Sequence, residues 1–176
     1  MLALADRLAA RTRAAGAMFI VNDRLDIALL AGATGVHVGQ DDLTPGEIRR
    51  ACAALSGPMV SVIGLSTHND TQLQAGLDEP VSYLAIGPVF ATTTKAQPDP
   101  IVGLSGVRLA RARTASRGVP LVAIGGVDET NARAVIDAGA DTVAIAGDLI
   151  SRDAGAKARA LIDLLRQAGS NRPPRT

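Results

Sequence analysis

Two pairs of polar residues lie where paired carboxylates could hold a cation. Asn22-Asp23 directly follows a short apolar run, and Asp41-Asp42 comes shortly after the next run. Two carboxylates at adjacent strand ends can share one hard cation, and Mg²⁺ is typically held by one or two carboxylates with waters and substrate phosphates. Helix capping is the other interpretation of each aspartate. For Asp23 alone the two interpretations are balanced, whereas Asp23 together with Asp42 favours a magnesium site.

A second group offers hydroxyls and one ammonium. The run Thr92-Thr93-Thr94-Lys95 lies in a long irregular stretch, residues 87–103, and a loop of that size in a compact domain is usually a binding loop or lid. Hydroxyl donors and a point charge suit phosphate or pyrophosphate. A threonine-rich patch is more often a solvated loop, but its place after a buried strand favours the phosphate interpretation.

A third group consists of glycines that follow the last two apolar runs. Gly125-Gly126 and Gly147 fit a barrel phosphate site, in which backbone N–H groups and a helix N-terminus bind the anion. Tight turns are the alternative role for each glycine. Asp148 could cap a following short helix, but its carboxylate would repel a bound dianion.

The two histidines and the single cysteine give little sign of other chemistry. His37 lies inside an apolar run and is predicted to be a satisfied inner-barrel residue, while His68, after Ser66 and Thr67, is predicted to reach the site. Neither pairs with a nucleophile, so a Ser-His-acid triad has little support, and clustered zinc ligands are absent from the sequence. The lone Cys52 excludes an internal disulfide and fits a reducing cytoplasm.

The elements that must position these groups form a repeating pattern. Six apolar runs precede the polar or glycine-rich positions: residues 18–21, 35–38, 59–63, 83–86, 121–124 and 142–146. They are continuous rather than alternating, which is typical of strands covered on both faces. We therefore predict an α/β fold of the TIM-type (β/α) barrel class with about six βα units. An open doubly wound sheet is less favoured because no G-x-G-x-x-G follows the first run.

Helix signals fill the gaps between the runs. Thr44, Pro45 and Glu47 stand in the order of a cap, a first helical proline and a capping-box glutamate. Asp128 predicts another helix start at residues 129–131. The opening residues predict an amphipathic helix with Leu2, Leu4 and Leu8 among charged residues.

Length and composition limit the alternatives. The 176 residues predict one domain over 1–169 and a disordered tail over 170–176, which is short for an eight-stranded barrel of about 250 residues. With 47% hydrophobic but only 2% aromatic residues, the core must be aliphatic. A net charge of +1 gives no reason to expect a nucleic acid partner. No apolar run approaches the ~20 residues of a membrane span, so we expect a cytoplasmic protein with small-molecule partners.

Taken in order, these motifs resemble the thiamine phosphate synthase family over about residues 17–150. The matching segments are FIVNDR at 19–24, GVHVGQDD at 35–42, IGLSTH at 63–68, GPVF at 87–90, T-x-T-K at 92–95 and AIGGV at 123–127. The resemblance implies a (β/α)₈ barrel that joins hydroxymethylpyrimidine diphosphate to a thiazole phosphate. The products would be thiamine phosphate and pyrophosphate, with Mg²⁺ required and a pyrimidine cation formed on the way.

The resemblance also implies a role for each matching residue. Asp23 and Asp42 would hold Mg²⁺, and the diphosphate contacts would come from Asn22, Ser66 and Lys95, of which Ser66 and Lys95 are the predicted catalytic residues. The thiazole phosphate would be bound by Thr92, Thr94, Gly126 and the backbone near Gly147.

The chain departs from the family pattern in two places. The family's first strand, first helix and second strand, which carries a basic Arg and Lys motif, have no counterpart, so a truncation or a misassigned start is expected. Six strands would leave two open edges, which favours homo-oligomerisation or instability. Gly147 also replaces a serine common in the family, which backbone N–H groups would tolerate.

Three other functions remain open at this point. A thiazole tautomerase of the same superfamily would isomerise a precursor without joining two substrates, but it need not keep the metal acids or T-x-T-K. A non-catalytic phosphate-ligand binding module would fit the lost strands. A phosphate-binding barrel isomerase would need a general base, and His68 is the residue not already given a role.

Overall fold

A computed structural model describes residues 1–55, 59–92, 99–149 and 153–170. In these ranges the strands are β1 (Ile20–Asn22), β2 (Gly35–Val38), β3 (Val62–Thr67), β4 (Tyr83–Ile86), β5 (Leu121–Ile124) and β6 (Thr142–Ala144). The helices are α1 (Leu2–Ala14), α2 (Leu25–Leu30), α3 (Pro45–Ala54), α4 (Asp70–Leu77), α5 (Gly103–Ala115), α6 (Ala132–Asp137) and α7 (Ala154–Ser170), with a short 3-10 helix at Gly147–Leu149.

The six strands form one parallel sheet in the order β1-β2-β3-β4-β5-β6. Each strand pairs with the next along the chain, and a helix lies between successive strands in the sequence. Crossovers between parallel neighbouring strands are right-handed as a rule, and their repetition places the helices on one face and all carboxyl ends of the strands at one rim. The predicted TIM-type class with six βα units is therefore confirmed, as a partial barrel.

The two faces of the sheet differ in their side chains. The face toward the helices is aliphatic, and its register partners Val36 and Ile63 are fully buried, as is Leu84. Burying each such side chain stabilises the fold by about 1.5–3 kcal/mol. The inner face carries small and polar residues such as His37 and Gly64, which are register partners. Several inner-face positions are only partly buried, so the prediction of strands covered on both faces is wrong for this side.

The third strand begins later than predicted. The predicted run 59–63 is replaced by Val62–Thr67, because β2 pairs with β3 from Val62 onward and β4 pairs with it as far as Thr67. Tertiary pairing rather than local hydrophobicity sets this register. As a consequence, Ser66 lies within β3 rather than in the loop after it, with its side chain on the inner face.

The capping box at the start of α3 is confirmed. The Thr44 hydroxyl accepts a hydrogen bond from the Glu47 backbone N–H at 3.2 Å, and the Glu47 carboxylate accepts one from the Thr44 N–H at 2.8 Å. Pro45 occupies the first helical position, where its missing N–H leaves no partner unsatisfied.

Two other helix predictions need correction. Helix α1 forms as predicted, but it buries Ala5 and Ala9, while Leu4 is 56% exposed. The small alanine side chains let α1 pack closely against the rest of the protein, which a stripe of leucines would prevent. Helix α6 begins at Ala132 rather than at 129–131, because the Asp128 carboxylate first accepts N–H bonds within a turn.

The last helix and the end of the chain bear on the predicted domain limits. Helix α7 continues to Ser170, one residue into the predicted tail, and residues 171–176 lie outside the described ranges. Among the described helices, none combines the length and apolar character needed to cross a bilayer.

Candidate active site

The turn after β1 places an aspartate in an uncommon backbone conformation. Asp23 has φ 63°, in the left-handed region, and its N–H donates to the His37 carbonyl at 2.7 Å. The next N–H, that of Arg24, donates back to the Asn22 carbonyl at 2.8 Å. Aspartate tolerates this region better than most residues, yet the conformation still costs about 1 kcal/mol or more. Such a cost is often found at functional sites, where the backbone aims a side chain.

The side chain so positioned meets a second carboxylate from the end of β2. Asp23 is an exposed residue, yet its pKa is raised, first by partial burial of the carboxyl and then by the charge of Asp42 and a hydrogen bond with it, while a hydrogen bond from Asn22 acts in the opposite direction. Asp42 is itself held in place, since its Oδ2 accepts from the Gly39 N–H at 2.8 Å. The structure thus brings together the two predicted metal ligands and Asn22.

This donor set fits Mg²⁺. Two converging carboxylates supply hard oxygen ligands, and a cation between them would offset their mutual repulsion. Within the described ranges, no group of three or more His, Cys, Asp and Glu side chains is placed to hold a metal. Magnesium characteristically completes its shell with waters and substrate phosphates, so two protein carboxylates are sufficient.

Ser66, the predicted diphosphate contact from β3, is held at two points. Its Oγ lies 2.8 Å from His37 Nε2, and its carbonyl accepts from the Gln40 side-chain amide at 2.6 Å. Gln40 was not among the predicted site residues, although it stands between Gly39 and the two acids in the sequence. The serine is therefore fixed relative to the acidic end of β2.

His37 is an inner-face residue with both ring nitrogens engaged, as predicted. Its Nδ1 lies 2.9 Å from the Tyr83 hydroxyl, and the two rings stack with centroids 5.5 Å apart and planes 15° from parallel. Burial lowers the pKa of His37, partly offset by the charge of Asp42. Tyr83 was missed because it opens an apolar run. A period-two reading of that strand would have placed it on the inner face.

His68 lies at the end of β3, beside the long loop that follows β4. Its Nδ1 is 2.6 Å from the Gly87 carbonyl, and its Nε2 is 3.5 Å from the Asp99 carboxylate. The Val102 N–H also donates to the Pro88 carbonyl at 2.9 Å. His68 thus connects β3 to both described limbs of the loop, and both its ring nitrogens face loop groups.

The loop packs onto the glycine pair after β5. The Phe90 N–H donates to the Gly125 carbonyl at 3.0 Å. Gly126 has φ 66°, and a Cβ there would lie 2.4 Å from the Ala91 carbonyl oxygen. This close approach brings the half-buried Thr92 to the same part of the rim as the glycines.

Gly147 differs from Gly126 because its surroundings are open. It begins the 3-10 helix after β6, and no atom lies within 4 Å of where its Cβ would be. Of the other predicted residues, Thr94 and Lys95 fall outside the described ranges, as does the side chain of Asp148. Their roles stay predictions.

The motifs in this arrangement match a known family. The family model for thiamine monophosphate synthase covers residues 1–149 of the chain. The chain belongs to that family. A thiamine-phosphate synthase from Koribacter versatilis (strain Ellin345) is 53% identical over 131 residues, which are 74% of this chain and 58% of the relative. Another, from Chloroflexus aurantiacus (strain ATCC 29366 / DSM 635 / J-10-fl), is 38% identical over 160 residues, 89% of this chain and 70% of the relative.

A solved structure agrees with the family assignment. A thiamine phosphate pyrophosphorylase from Pyrococcus furiosus superposes with a TM-score of 0.81 at 27% identity, covering 95% of this chain and 76% of that one. The chain therefore spans 58% of the first relative and about three quarters of the solved neighbour.

Proposed function

We propose that this chain is a thiamine phosphate synthase, which joins hydroxymethylpyrimidine diphosphate to a thiazole phosphate and releases pyrophosphate. The observation that carries the proposal is that Asp23 and Asp42 meet at the ends of β1 and β2, while Ser66 of the adjacent strand β3 is held by His37 and Gln40. Family membership supports the same reaction. A tautomerase that acts on one substrate would not need a cation site of this kind.

On one side of the rim, the residues would bind the diphosphate. Asp23 and Asp42 would hold Mg²⁺, which when bound neutralises the charge that grows on the departing pyrophosphate. Asn22 and the Ser66 hydroxyl would donate to phosphate oxygens, and Lys95 would contribute a positive charge from the loop. Asn22 and Ser66 lie on strands of the sheet, so they would need little reorganisation as charge develops.

On the other side, the rim would bind the thiazole phosphate. Thr92 and Thr94 would donate hydroxyl hydrogen bonds, and the backbone at Gly126 and near Gly147 would donate N–H groups. The open space at Gly147 leaves room for an anion beside the 3-10 helix.

The reaction requires the two substrates to meet in line. The bond between the pyrimidine methylene carbon and the diphosphate oxygen breaks, both electrons leave with pyrophosphate, and the thiazole nitrogen then donates its lone pair to the resulting cation. Holding the rings in register would remove much of the entropic barrier, and exclusion of water would preserve the cation for the thiazole nitrogen.

The first test is to assay the 176-residue chain for thiamine phosphate formation from both substrates, with Mg²⁺ and with a chelator in its place. We expect turnover only with Mg²⁺. Isomerisation of the thiazole precursor without coupling would instead identify a tautomerase. Stoichiometric binding of thiamine phosphate without turnover in Mg²⁺ would identify a binding module.

We further infer a cytoplasmic location, supported by the buried Cys52 thiol, which is not part of a disulfide. Association into a homo-oligomer stays a prediction, supported by the sheet order, in which β1 and β6 each have one neighbour among the described strands. Sedimentation of the purified chain at several concentrations would test it.

A further inference from the structure

Three side chains from adjacent strands form a line of hydrogen bonds across the inner face. The Tyr83 hydroxyl lies 2.9 Å from His37 Nδ1, and His37 Nε2 lies 2.8 Å from Ser66 Oγ. Gly64 makes room for this line, because a Cβ there would be 2.1 Å from Tyr83 Cζ and 2.5 Å from His37 Nδ1. The residues that β2, β3 and β4 contribute to this line therefore fit together in size.

The direction of these hydrogen bonds follows from what each group can donate. The phenol carries one hydrogen, and a neutral imidazole carries one N–H and accepts at its other nitrogen, so the line can run in one of two directions. Among the described residues, His37 Nδ1 is the recorded partner of the Tyr83 hydroxyl. If Nδ1 carried the hydrogen, the phenolic hydrogen of this half-buried group would have no protein acceptor.

With the hydrogen bonds in the opposite direction, every donor and acceptor of the line has a partner. Tyr83 donates to His37 Nδ1, the hydrogen on His37 Nε2 is donated to Ser66 Oγ, and the serine hydrogen is released to point elsewhere. Since the Ser66 carbonyl is held by Gln40, rotation of the hydroxyl is the main freedom that remains at this residue.

We propose that Tyr83 and His37 are positioning residues that direct the Ser66 hydroxyl hydrogen toward the diphosphate. The inference rests on the proposed function in one respect, namely that Ser66 contacts that group. Ionised phosphate oxygens accept hydrogen bonds and donate none, so a serine that already donates to His37 could not serve them. The Tyr83–His37–Ser66 relay removes that competition before the substrate arrives.

The tautomer of His37 tests the relay without any ligand. The chain has two histidines, so ¹⁵N–¹H spectra of the imidazoles can be assigned by comparison with His68→Gln. We expect His37 to carry its proton on Nε2, with an unprotonated Nδ1. Tyr83→Phe should reduce that preference, because the phenolic donor is gone. A proton on Nδ1 in the unmodified chain would overturn the relay.

Pyrophosphate binding tests whether the relay acts through the serine. We expect Tyr83→Phe and Ser66→Ala each to weaken binding of inorganic pyrophosphate with Mg²⁺ by about three- to tenfold in calorimetry. The double variant should bind no worse than Ser66→Ala alone, because Tyr83 has nothing left to direct. Independent, multiplicative losses would contradict the proposal.

Two further variants separate positioning from packing. Gln can accept from Tyr83 and donate to Ser66, so His37→Gln should stay within about threefold of the unmodified affinity, whereas His37→Leu should not. Ser61→Ala is the matched serine control, since its hydroxyl bonds the Thr34 carbonyl at the opposite end of β3. Unfolding midpoints show which variants are folded; equal binding by folded Gln and Leu variants would refute the relay.

The outcomes distinguish this inference from the proposed function. A chain that lacks synthase turnover but shows the Nε2 tautomer and coupled pyrophosphate losses would retain the relay and lose the reaction. Synthase turnover together with a proton on His37 Nδ1 would retain the reaction and overturn the relay. Failure of the unmodified chain to bind pyrophosphate would overturn the assignment of Ser66 to a diphosphate, and the relay's purpose with it.

Discussion

The two halves of the strand-end rim are built from different parts of the chain. The acidic half, at the ends of β1–β3, consists of side chains: Asn22, Asp23, Asp42 and Ser66. The glycine half, at the ends of β4–β6, consists of the described residues 90–92 and the backbone of Gly126 and Gly147. One half offers carboxylates, an amide and one hydroxyl, and the other offers a close backbone approach and N–H groups.

Under the proposed function, this difference would let the fold distinguish two phosphorylated substrates. A magnesium diphosphate is attracted to the carboxylates, whereas a bare phosphate monoester is repelled by them. The glycine half has no such repulsion from its backbone donors. The acidic half therefore carries an electrostatic cost when empty, and the glycine half carries a steric one, because Gly126 admits no side chain.

The largest expected effect is the loss of the cation from the acidic half. Asp42→Ala removes one of two carboxylates, and we expect Mg²⁺-dependent turnover to fall by at least about a thousandfold with the fold intact. Initial rates over a magnesium titration measure the effect. Asp137→Ala is the matched control, since that carboxylate pairs with Arg133 on the surface of α6. Wild-type rates in Asp42→Ala would remove this residue from the site.

The next effect concerns Lys95, whose charge is predicted to act on the diphosphate. Lys95→Ala should lower kcat by about a hundredfold with little change in KM, because the ammonium matters most as the leaving group gains charge. Steady-state kinetics separate the two constants. Lys157→Ala on α7 should leave both constants unchanged. A change confined to KM would contradict a role in the transition state.

In the glycine half, alanine substitutions at Gly126 and Gly147 are expected to differ in their effect on stability. Gly126→Ala must place a Cβ 2.4 Å from the Ala91 carbonyl at φ 66°, so we expect about 2 kcal/mol lower stability and a raised KM for the thiazole phosphate. Gly147→Ala meets open space and should change stability by less than about 0.5 kcal/mol. Denaturant unfolding measures both. Equal costs at the two positions would show that packing does not distinguish them.

The smallest effect sharpens the electrostatic side of the comparison. Asp23 has a raised pKa in the folded chain, so stability is lost as the pH rises from the ordinary aspartate pKa to the raised one, and the loss persists at pH 7. Asp23→Asn, which tolerates φ 63°, should be more stable than the unmodified chain at pH 7 in a chelator. The gain should be below about 1 kcal/mol, because the group is largely exposed and screened.

The same variant provides its own control. The stability gain should disappear below the ordinary aspartate pKa, where the unmodified side chain is also neutral, and Mg²⁺ should stabilise only the unmodified chain. Thermal melts at pH 7 and at acid pH, with and without Mg²⁺, measure both. A gain that persisted in acid would assign it to backbone conformation rather than to charge.

Much of the architecture could be predicted because it depends on local pattern. The runs at β2, β4 and β5 have the predicted bounds, and the Thr44–Glu47 capping box is a local device. The convergence of Asp23 and Asp42 was predictable as well, because parallel strands end at one rim. The roles of these two residues stay predictions.

The remainder depended on tertiary pairing. Residues 59–61 are as apolar as the strand that follows, and only the register with β2 and β4 shows that β3 begins at Val62. That register also places Ser66 and Tyr83 on the inner face, near His37. A shift of one residue in strand register moves a side chain to the other face of the sheet. The contacts among Tyr83, His37 and Ser66 could therefore not be predicted while the start of β3 was misplaced.

The stacking of Tyr83 on His37 has a practical consequence for experiments. The chain contains no tryptophan and one tyrosine, so its tyrosine emission comes from a single ring, stacked on His37, which in turn contacts Ser66. A ligand that reaches Ser66 would change the surroundings of that ring. The protein therefore carries its own optical probe of the rim, and titrations can be followed by fluorescence without a label.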